Sequence, residues 1–357
     1  MRLNPLTAKK LRRFRQIRRG YFSLITLVAL VVLSLFAELF INNRALAVRY
    51  DGHWSFTTYS RLRLGAEFGL TGDKAQIPVN YRELKDHFEA EGAGNRVILP
   101  LIPFGAYEND AYEGVFKPSP PSWQTRHLLG TDSTGRDILA RLVFGFRIAI
   151  FFALAFMALT YLIGITIGCL MGYFGGIFDL VFQRLIEIWS NIPFLYMVII
   201  VFSVIPASFA ISTRILILLS IMVLFSWTGM TYYMRTATYR EKSRDYAAAA
   251  IVLGASTPRI IFNHILPNTV STIVTFMPFS VVAGITAITA LDFLGWGLPP
   301  PTPSIGELLK QGTASLTTAP WIVSSAFAAL VFVLTLVTFI GEAVREAFDP
   351  KKYTTYR

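Results

Sequence analysis

Six stretches of the chain, approximately residues 21–41, 148–172, 180–205, 215–233, 270–291 and 322–343, are apolar and almost free of charge. A helix rises 1.5 Å per residue, so about twenty such residues cross a hydrocarbon core of about 30 Å. The pattern predicts an all-α membrane protein with six transmembrane helices. Orientation follows from Lys and Arg in the short polar segments. Residues 1–20 hold eight basic residues and no acidic one, as expected of a cytoplasmic tail facing anionic membrane lipid. Counting through the spans also puts the fourth-to-fifth connection inside. There Arg235, Arg240, Lys242, Arg244 and Arg259 face only Glu241 and Asp245, whereas the outer connection 206–213 is uncharged. Both termini are then cytoplasmic.

The segments divide the chain into a basic tail (1–20), an anchor helix (21–41), a polar insert (42–147), a five-helix core (148–347) with a cytoplasmic loop (235–268), and a second tail (348–357). The basic start, the apolar run and Ala45-Leu46-Ala47 together resemble a secretory signal and its cleavage site. The run is about twice the usual length of a signal core, so an uncleaved anchor is expected. The insert is too long for a plain connector and is read as a small extracytoplasmic domain or cap, with no pattern that assigns its fold.

Composition narrows the function. Hydrophobic residues make up 54% of the chain and charged ones 15%, against about 25% charged in soluble domains. The net charge of +11 is concentrated where a membrane surface would meet it, and no folded basic motif points to nucleic acid. Cys169 sits in an apolar run and reads as a packing residue. The four histidines are scattered without metal-ligand spacing. No charge lies near the middle of a span, which argues against a proton-coupled carrier or a voltage sensor. The sequence has no GxxxxGK[ST] phosphate loop, so transport energy must come from a partner.

The loop is the most informative segment. Residues 247–250 are four alanines, a strong helix former. Gly254 stands where a C-terminal cap takes a left-handed residue. Thr257 and Pro258 read as an N-cap and first-turn proline, and Pro267 is expected to close the second helix. The result is two short helices about a glycine turn, with small residues that let another protein approach.

Ala249, Ala250, Gly254, Leu266 and Pro267 resemble, at the right spacing, the "EAA" loop of ABC importer permeases; Ala248 replaces its glutamate and His264 its isoleucine. Leu129-Gly130-Thr131-Asp132 followed by Gly135-Arg136-Asp137 is similar to the "LGTDxxGRD" signature of dipeptide, oligopeptide and nickel permeases. Arg141, Gly145 and Arg147 continue that match. So do Gly172-Tyr173-Phe174-Gly175-Gly176 with Asp179 and Arg184, Leu291-Asp292-Phe293-Leu294-Gly295-Trp296-Gly297 with the prolines after it, and Asp349-Pro350-Lys351. The resemblance spans about residues 119–351, and the insert resembles that of Yej-type permeases, importers of peptides and microcin C.

The resemblance implies a heteromeric importer. A homologous permease would complete the pathway, ABC ATPases would bind ATP and Mg inside, and a periplasmic substrate-binding protein would deliver cargo in the inner membrane of a bacterium. The chain itself would hold no cofactor, metal or catalytic residue. Asp245, Tyr246, Ala255, Ser256 and Arg259 join the matched loop residues as candidates for ATPase coupling. Peptides or peptide-like compounds are the preferred cargo, with nickel or another solute as the alternative. A stand-alone carrier or a membrane enzyme has no residue pattern in its favour.

Three further features have bottom-up readings. Gly164, Gly168 and Gly172 form a smooth helical stripe, read first as packing within this subunit and second as contact with the partner permease. Asp132 and Arg136 near Gly130, Gly135 and Asp137 read as a surface pair stapling the cap to the second span, contributing under about 1 kcal/mol. Gly295-Trp296-Gly297 reads as an outer loop that anchors at the interface or meets the delivering protein, and Arg184 with Glu187 as a structural pair on one helix face.

Overall fold

A computed structural model describes residues 5–110, 117–206 and 208–348; the Asp349-Pro350-Lys351 motif and nearly all of the second tail lie outside these. The helices are α1 (Pro5–Gln16), α2 (Arg18–Leu35), α3 (Tyr81–Glu91), α4 (Ile138–Phe174), α5 (Gly176–Ser190), α6 (Phe194–Val204), α7 (Ile211–Lys242), α8 (Asp245–Val252), α9 (Thr257–Arg259), α10 (Leu266–Leu294), α11 (Ile305–Ala314) and α12 (Pro320–Phe348). A widened π turn, Ile260–Ile265, joins α9 to α10. The strands β1 (Ala47–Tyr50), β2 (His53–Ser55) and β3 (Arg96–Ile98) lie between α2 and α4.

Among the described residues, five helical courses are long and apolar enough to cross a membrane: α2, α4, α7, the run Thr257–Leu294, and α12. The expected third span is not one helix. It breaks into α5 and α6, bent by 69° at Asn191-Ile192-Pro193. Pro193 has no N–H to donate and disfavours helical backbone at Ile192, which explains the break. Counting the bent pair as one span restores six.

The second span starts earlier than the apolar run implies. Asp137 caps α4, its Oδ1 accepting from the Ala140 N–H at 2.7 Å. At 37 residues the helix is about 55 Å long, so its first turns rise beyond a hydrocarbon core.

The glycine stripe of α4 lies on α7. A Cβ at Gly164 would sit 2.8 Å from the Met230 Cβ, at Gly168 2.5 Å from the Thr231 carbonyl, and at Gly172 2.5 Å from the Arg235 carbonyl. Contacts advance in the same direction along both helices, so α4 and α7 are parallel with backbones touching. The stripe is used inside this chain. α10 returns alongside α4, its Gly284 packed against Ala153 and Phe156, and α12 completes a core that includes Ile150, Met157, Ile285 and Val337.

The anchor helix α2 runs antiparallel to α12. Gly20 touches Ala343 and Arg19 reaches Glu342 at 3.4 Å at one end. At the other, Arg147 bonds the Ser34 carbonyl at 3.1 Å and Glu38 at 2.9 Å. Lys10 of α1 lies over the Phe348 ring. These contacts define two ends of the bundle: one carries the insert, the other α1, α8 and the Gly254 turn.

The insert is a small mixed unit, a departure from the all-helical remainder. Its antiparallel sheet has the order β2-β1-β3, with Arg49 opposite Trp54 and Arg96. α3 contributes Tyr81, Leu84 and Phe88, one face of a helix by spacing, to a core with Val48, Phe68 and Val97. Ala45 is buried in the same core and Ala47 opens β1, so the run resembling a cleavage site is part of a folded unit.

Candidate functional site

At the loop end, α8 is an amphipathic helix of small residues. Ala247 and Ala250 are buried while Ala248 and Ala249 face outward. The helix ends in a Schellman turn: the Gly254 N–H donates to the Ile251 carbonyl and the Ala255 N–H to the Ala250 carbonyl, both at 3.0 Å. Gly254 has φ +75°, and a Cβ there would meet nothing within 4 Å. The glycine is required by backbone conformation rather than by space.

Two expectations for the second half need correction. Ser256, not Thr257, is the N-cap residue, with Thr257 and Pro258 the first helical positions. Pro267 does not close the helix. The helical course runs from Thr257 through Leu294, and Pro267 stands in the first turn of α10. Proline would clash with the carbonyl four residues back in a regular helix. The π turn before it, where the Leu266 N–H donates to the Ile261 carbonyl, widens the ladder at that point. The loop is therefore one short helix turned by Gly254 onto the foot of a membrane-spanning one.

The turn has a packed side and a bare side. Ala250, Ala255, Ile260 and Ile265 pack with Tyr173 near the end of α4. Tyr246 donates to Glu241 of α7 at 3.0 Å; burial first, then that carboxylate, pushes its phenol up to about 12. Arg235 forms a bidentate pair with Asp179 of α5 at 2.5 Å, and Lys242 donates to the Tyr173 carbonyl. On the bare side Val252 is 87% exposed and Leu253 86%, with Ile251 and Phe262 also in the open. Asp245, Ser256 and Arg259 stand beside them, all three exposed. Large exposed apolar tips mark contact surfaces. Glu241 and Tyr173 were not legible as loop partners, because their place against the turn follows from how α7 and α4 pack.

At the insert end, the reading of Asp132 and Arg136 as a surface pair is corrected: both are buried. Asp132 accepts from the Arg136 Nε at 2.8 Å and from the Thr134 and Arg136 N–H groups at 2.9 and 3.0 Å. Arg136 reaches Glu307 of α11 at 2.9 Å. Arg141, fully buried in α4, also pairs with Glu307 and donates to the Ala106 carbonyl of the insert at 3.0 Å. Asp137 holds His127 at 2.8 Å, and His127 approaches Asp110 at 3.3 Å. Gly130 and Gly135 make the left-handed turns that close this knot, Gly135 backing onto the Asp110 carbonyl and Gly130 onto Trp321. The motif thus staples insert, α4, α11 and α12 together, with Arg141, which continues the motif, at its centre and Glu307 as the member that the motif did not contain. Asp292 receives the Ser304 hydroxyl and the Leu298 N–H, closing the loop after α10.

Comparison with known proteins fits this geometry. Residues 164–353 match the family model described as binding-protein-dependent transport system inner membrane component. The chain is 41% identical, over 98% of its length and 99% of the relative's, to the inner membrane ABC transporter permease protein YejE of Escherichia coli. It is 35% identical, over 98% and 94%, to the peptidoglycan transport system permease protein YejE of Agrobacterium fabrum. To the dipeptide transport system permease protein DppC of Haemophilus influenzae it is 34% identical, over 65% of this chain and 78% of that one.

Proposed function

The chain belongs to the family of binding-protein-dependent transport system inner membrane components, the permeases of ABC transporters, and from that premise we propose that it is one of two permeases forming the pathway of an ATP-driven importer of peptides or peptide-like compounds. The observation that carries the coupling part of this reading is the bare Val252–Leu253 tip on a glycine-set turn that continues into α10. A soluble ATPase, holding ATP and Mg²⁺ itself, covers that tip. The basic residues support this orientation: the N-terminal helix and the loop with Arg240, Lys242, Arg244 and Arg259 lie at the same end of the bundle, the cytoplasmic one by the positive-inside rule. The insert is then periplasmic, where a substrate-binding protein delivers cargo.

Transmission follows from the packing. Movement of α8 against the ATPase pushes the Ala250–Ile260–Ile265 cluster and Tyr173, and so the ends of α10 and α4. The π turn is the compliant joint, since its hydrogen bonds are the irregular ones. The ATPase must contact the tip differently in its two states, or no motion is transmitted. For cargo, support comes from the relatives named for dipeptide and peptidoglycan transport and from the full-length alignment with the YejE proteins, which takes in the insert.

Purification of the full chain from native membranes, with mass spectrometry of what accompanies it, tests the reading. A second permease and an ATPase are expected, and Leu253→Asp should remove the ATPase at least about tenfold while leaving the permease, since an apolar hot spot dominates such contacts. Full retention of the ATPase by Leu253→Asp would refute the coupling assignment. A chain that comes out alone would refute the importer.

A further inference from the structure

A cavity of about 510 Å³ opens between α4, α6, α7 and α10, within the range of about 300–1,000 Å³ usual for ligand pockets. Three observations separate it from loose packing. Thr160, only 6% exposed, lines it with an Oγ1 that has no hydrogen-bond partner. Other hydroxyls on these helices fold back onto their own backbone: Thr166 onto the Leu162 carbonyl at 2.7 Å, Ser220 onto Leu216 at 2.8 Å, Thr231 onto Trp227 at 3.0 Å. A buried hydroxyl left unpaired is costly, so a free one lining a cavity is poised for a partner.

Gly229 is the second observation. Gly164, Gly168, Gly172 and Gly284 are each jammed against a neighbouring helix, whereas a Cβ on Gly229 meets nothing within 4 Å. Glycine inside a helix is less stable than alanine, and no packing contact here requires it. What it supplies is room. The third is the lining itself. Phe156, Tyr161, Phe225, Tyr233 and Phe276 surround the space with Ser226 and Ser280, and no lining side chain is charged. Tyr161 and Ser280 are bonded to each other at 2.8 Å and Tyr233 stacks on Phe276 at 4.0 Å, so the walls are pre-set.

We propose that this cavity is where the permease itself recognises its cargo, taking a peptide segment with uncharged, apolar or aromatic side chains. This rests on the peptide-import reading above. The Thr160 and Ser226 hydroxyls meet backbone amides of the passing chain and the rings carry its side chains. A cavity without counter-charges penalises a charged side chain by desolvation, so the permease adds its own selectivity to that of a delivering protein.

The test uses the complete transporter in liposomes with saturating binding protein, and uptake of labelled tri-alanine, tri-phenylalanine and tri-lysine. Wild type should move the first two faster than the third. Uptake should fall along the series wild type, Gly229→Ala, Gly229→Leu, Gly229→Trp, by at least about tenfold at the last, with co-purifying subunits unchanged. Thr160→Val should lower uptake several-fold while leaving thermal stability equal or higher, because it deletes an unsatisfied hydroxyl; a purely structural role for Thr160 would not give opposite signs. Gly229→Trp transporting at the wild-type rate would overturn the cavity assignment alone, as would native mass spectrometry showing that the Gly229→Trp variant sheds a bound lipid without change in uptake. A wild type that assembles but moves no peptide would overturn the import reading and this inference with it.

Discussion

At the insert end of the bundle Asp132, Arg136, Arg141 and Glu307 are largely shut away from water and bonded to one another and to backbone carbonyls. At the loop end Val252 and Leu253 stand almost fully exposed on a turn held by two backbone hydrogen bonds and one positive-φ glycine. Charge is buried where it would ordinarily be exposed, and apolar surface is exposed where it would ordinarily be buried. The inversion has a physical sense. A knot of mutually paired charges joins four elements with fixed geometry, and breaking any member leaves others unpaired in a dry site. An apolar tip is incomplete until something covers it. The first end is built to stay as it is, the second to take a partner.

The comparison breaks first at the knot. Asp132→Ala leaves Arg136 and Arg141 to share Glu307, and losing one partner of a buried ion pair costs about 3–5 kcal/mol. The expected outcome is a sharp fall in folded protein recovered from membranes and in thermal midpoint; unchanged stability would make the knot ornamental. Gly254→Val should act the other way. A left-handed residue with a side chain is strained by about 1–2 kcal/mol, with open space around it, so the chain should still fold. Uptake should drop severalfold or more while ATP hydrolysis continues, with Gly254→Asn milder because Asn tolerates that conformation. Full uptake by Gly254→Val would show that the turn transmits nothing. Tyr246→Phe removes the bond to Glu241 at about 1 kcal/mol and should lower thermal stability slightly, a smaller effect than either.

Much of this is legible in the residues, and the parts that are not share a cause. Apolar runs locate five spans because a hydrocarbon core demands length and lack of charge. The bend at Pro193 is written in the sequence too, but a run that stays apolar across a proline hides it. Gly254 is readable because a helix end needs a left-handed residue locally. Pro267 misleads because its effect depends on the π turn ahead of it, a backbone adjustment with no residue signature. The knot is undervalued for a different reason: Glu307 lies more than 160 residues from Asp132 and Arg141, and whether a pair is buried depends on what folds over it. The three short strands of the insert show no period because none exceeds four residues.

The finest division between the ends is pH. At the insert end His127 lies between Asp110 and Asp137, stacked on Phe104 at 3.8 Å, while Arg82 also bonds Asp110. Burial alone would lower its pKa, but the two carboxylates outweigh burial and raise it above 6.5; the bond to His127, opposed by burial and helped by Arg82, lowers Asp110 below 3.8. A raised histidine stabilises the fold fully below its unfolded value and loses that contribution as pH climbs through the raised one. A depressed carboxylate contributes above its unfolded value and loses it as pH falls through the lowered one. The clamp therefore holds fully between the unfolded values of the carboxylate and the imidazole, and slackens as pH climbs through the raised histidine value. Thermal midpoints between about pH 5 and 9 should fall by no more than about 4 °C from this cause, and His127→Gln should flatten that slope while leaving ATPase co-purification through the Leu253 tip intact. A slope that survives His127→Gln would mean that the charged knot is not titrated through its histidine and that pH acts at the other end.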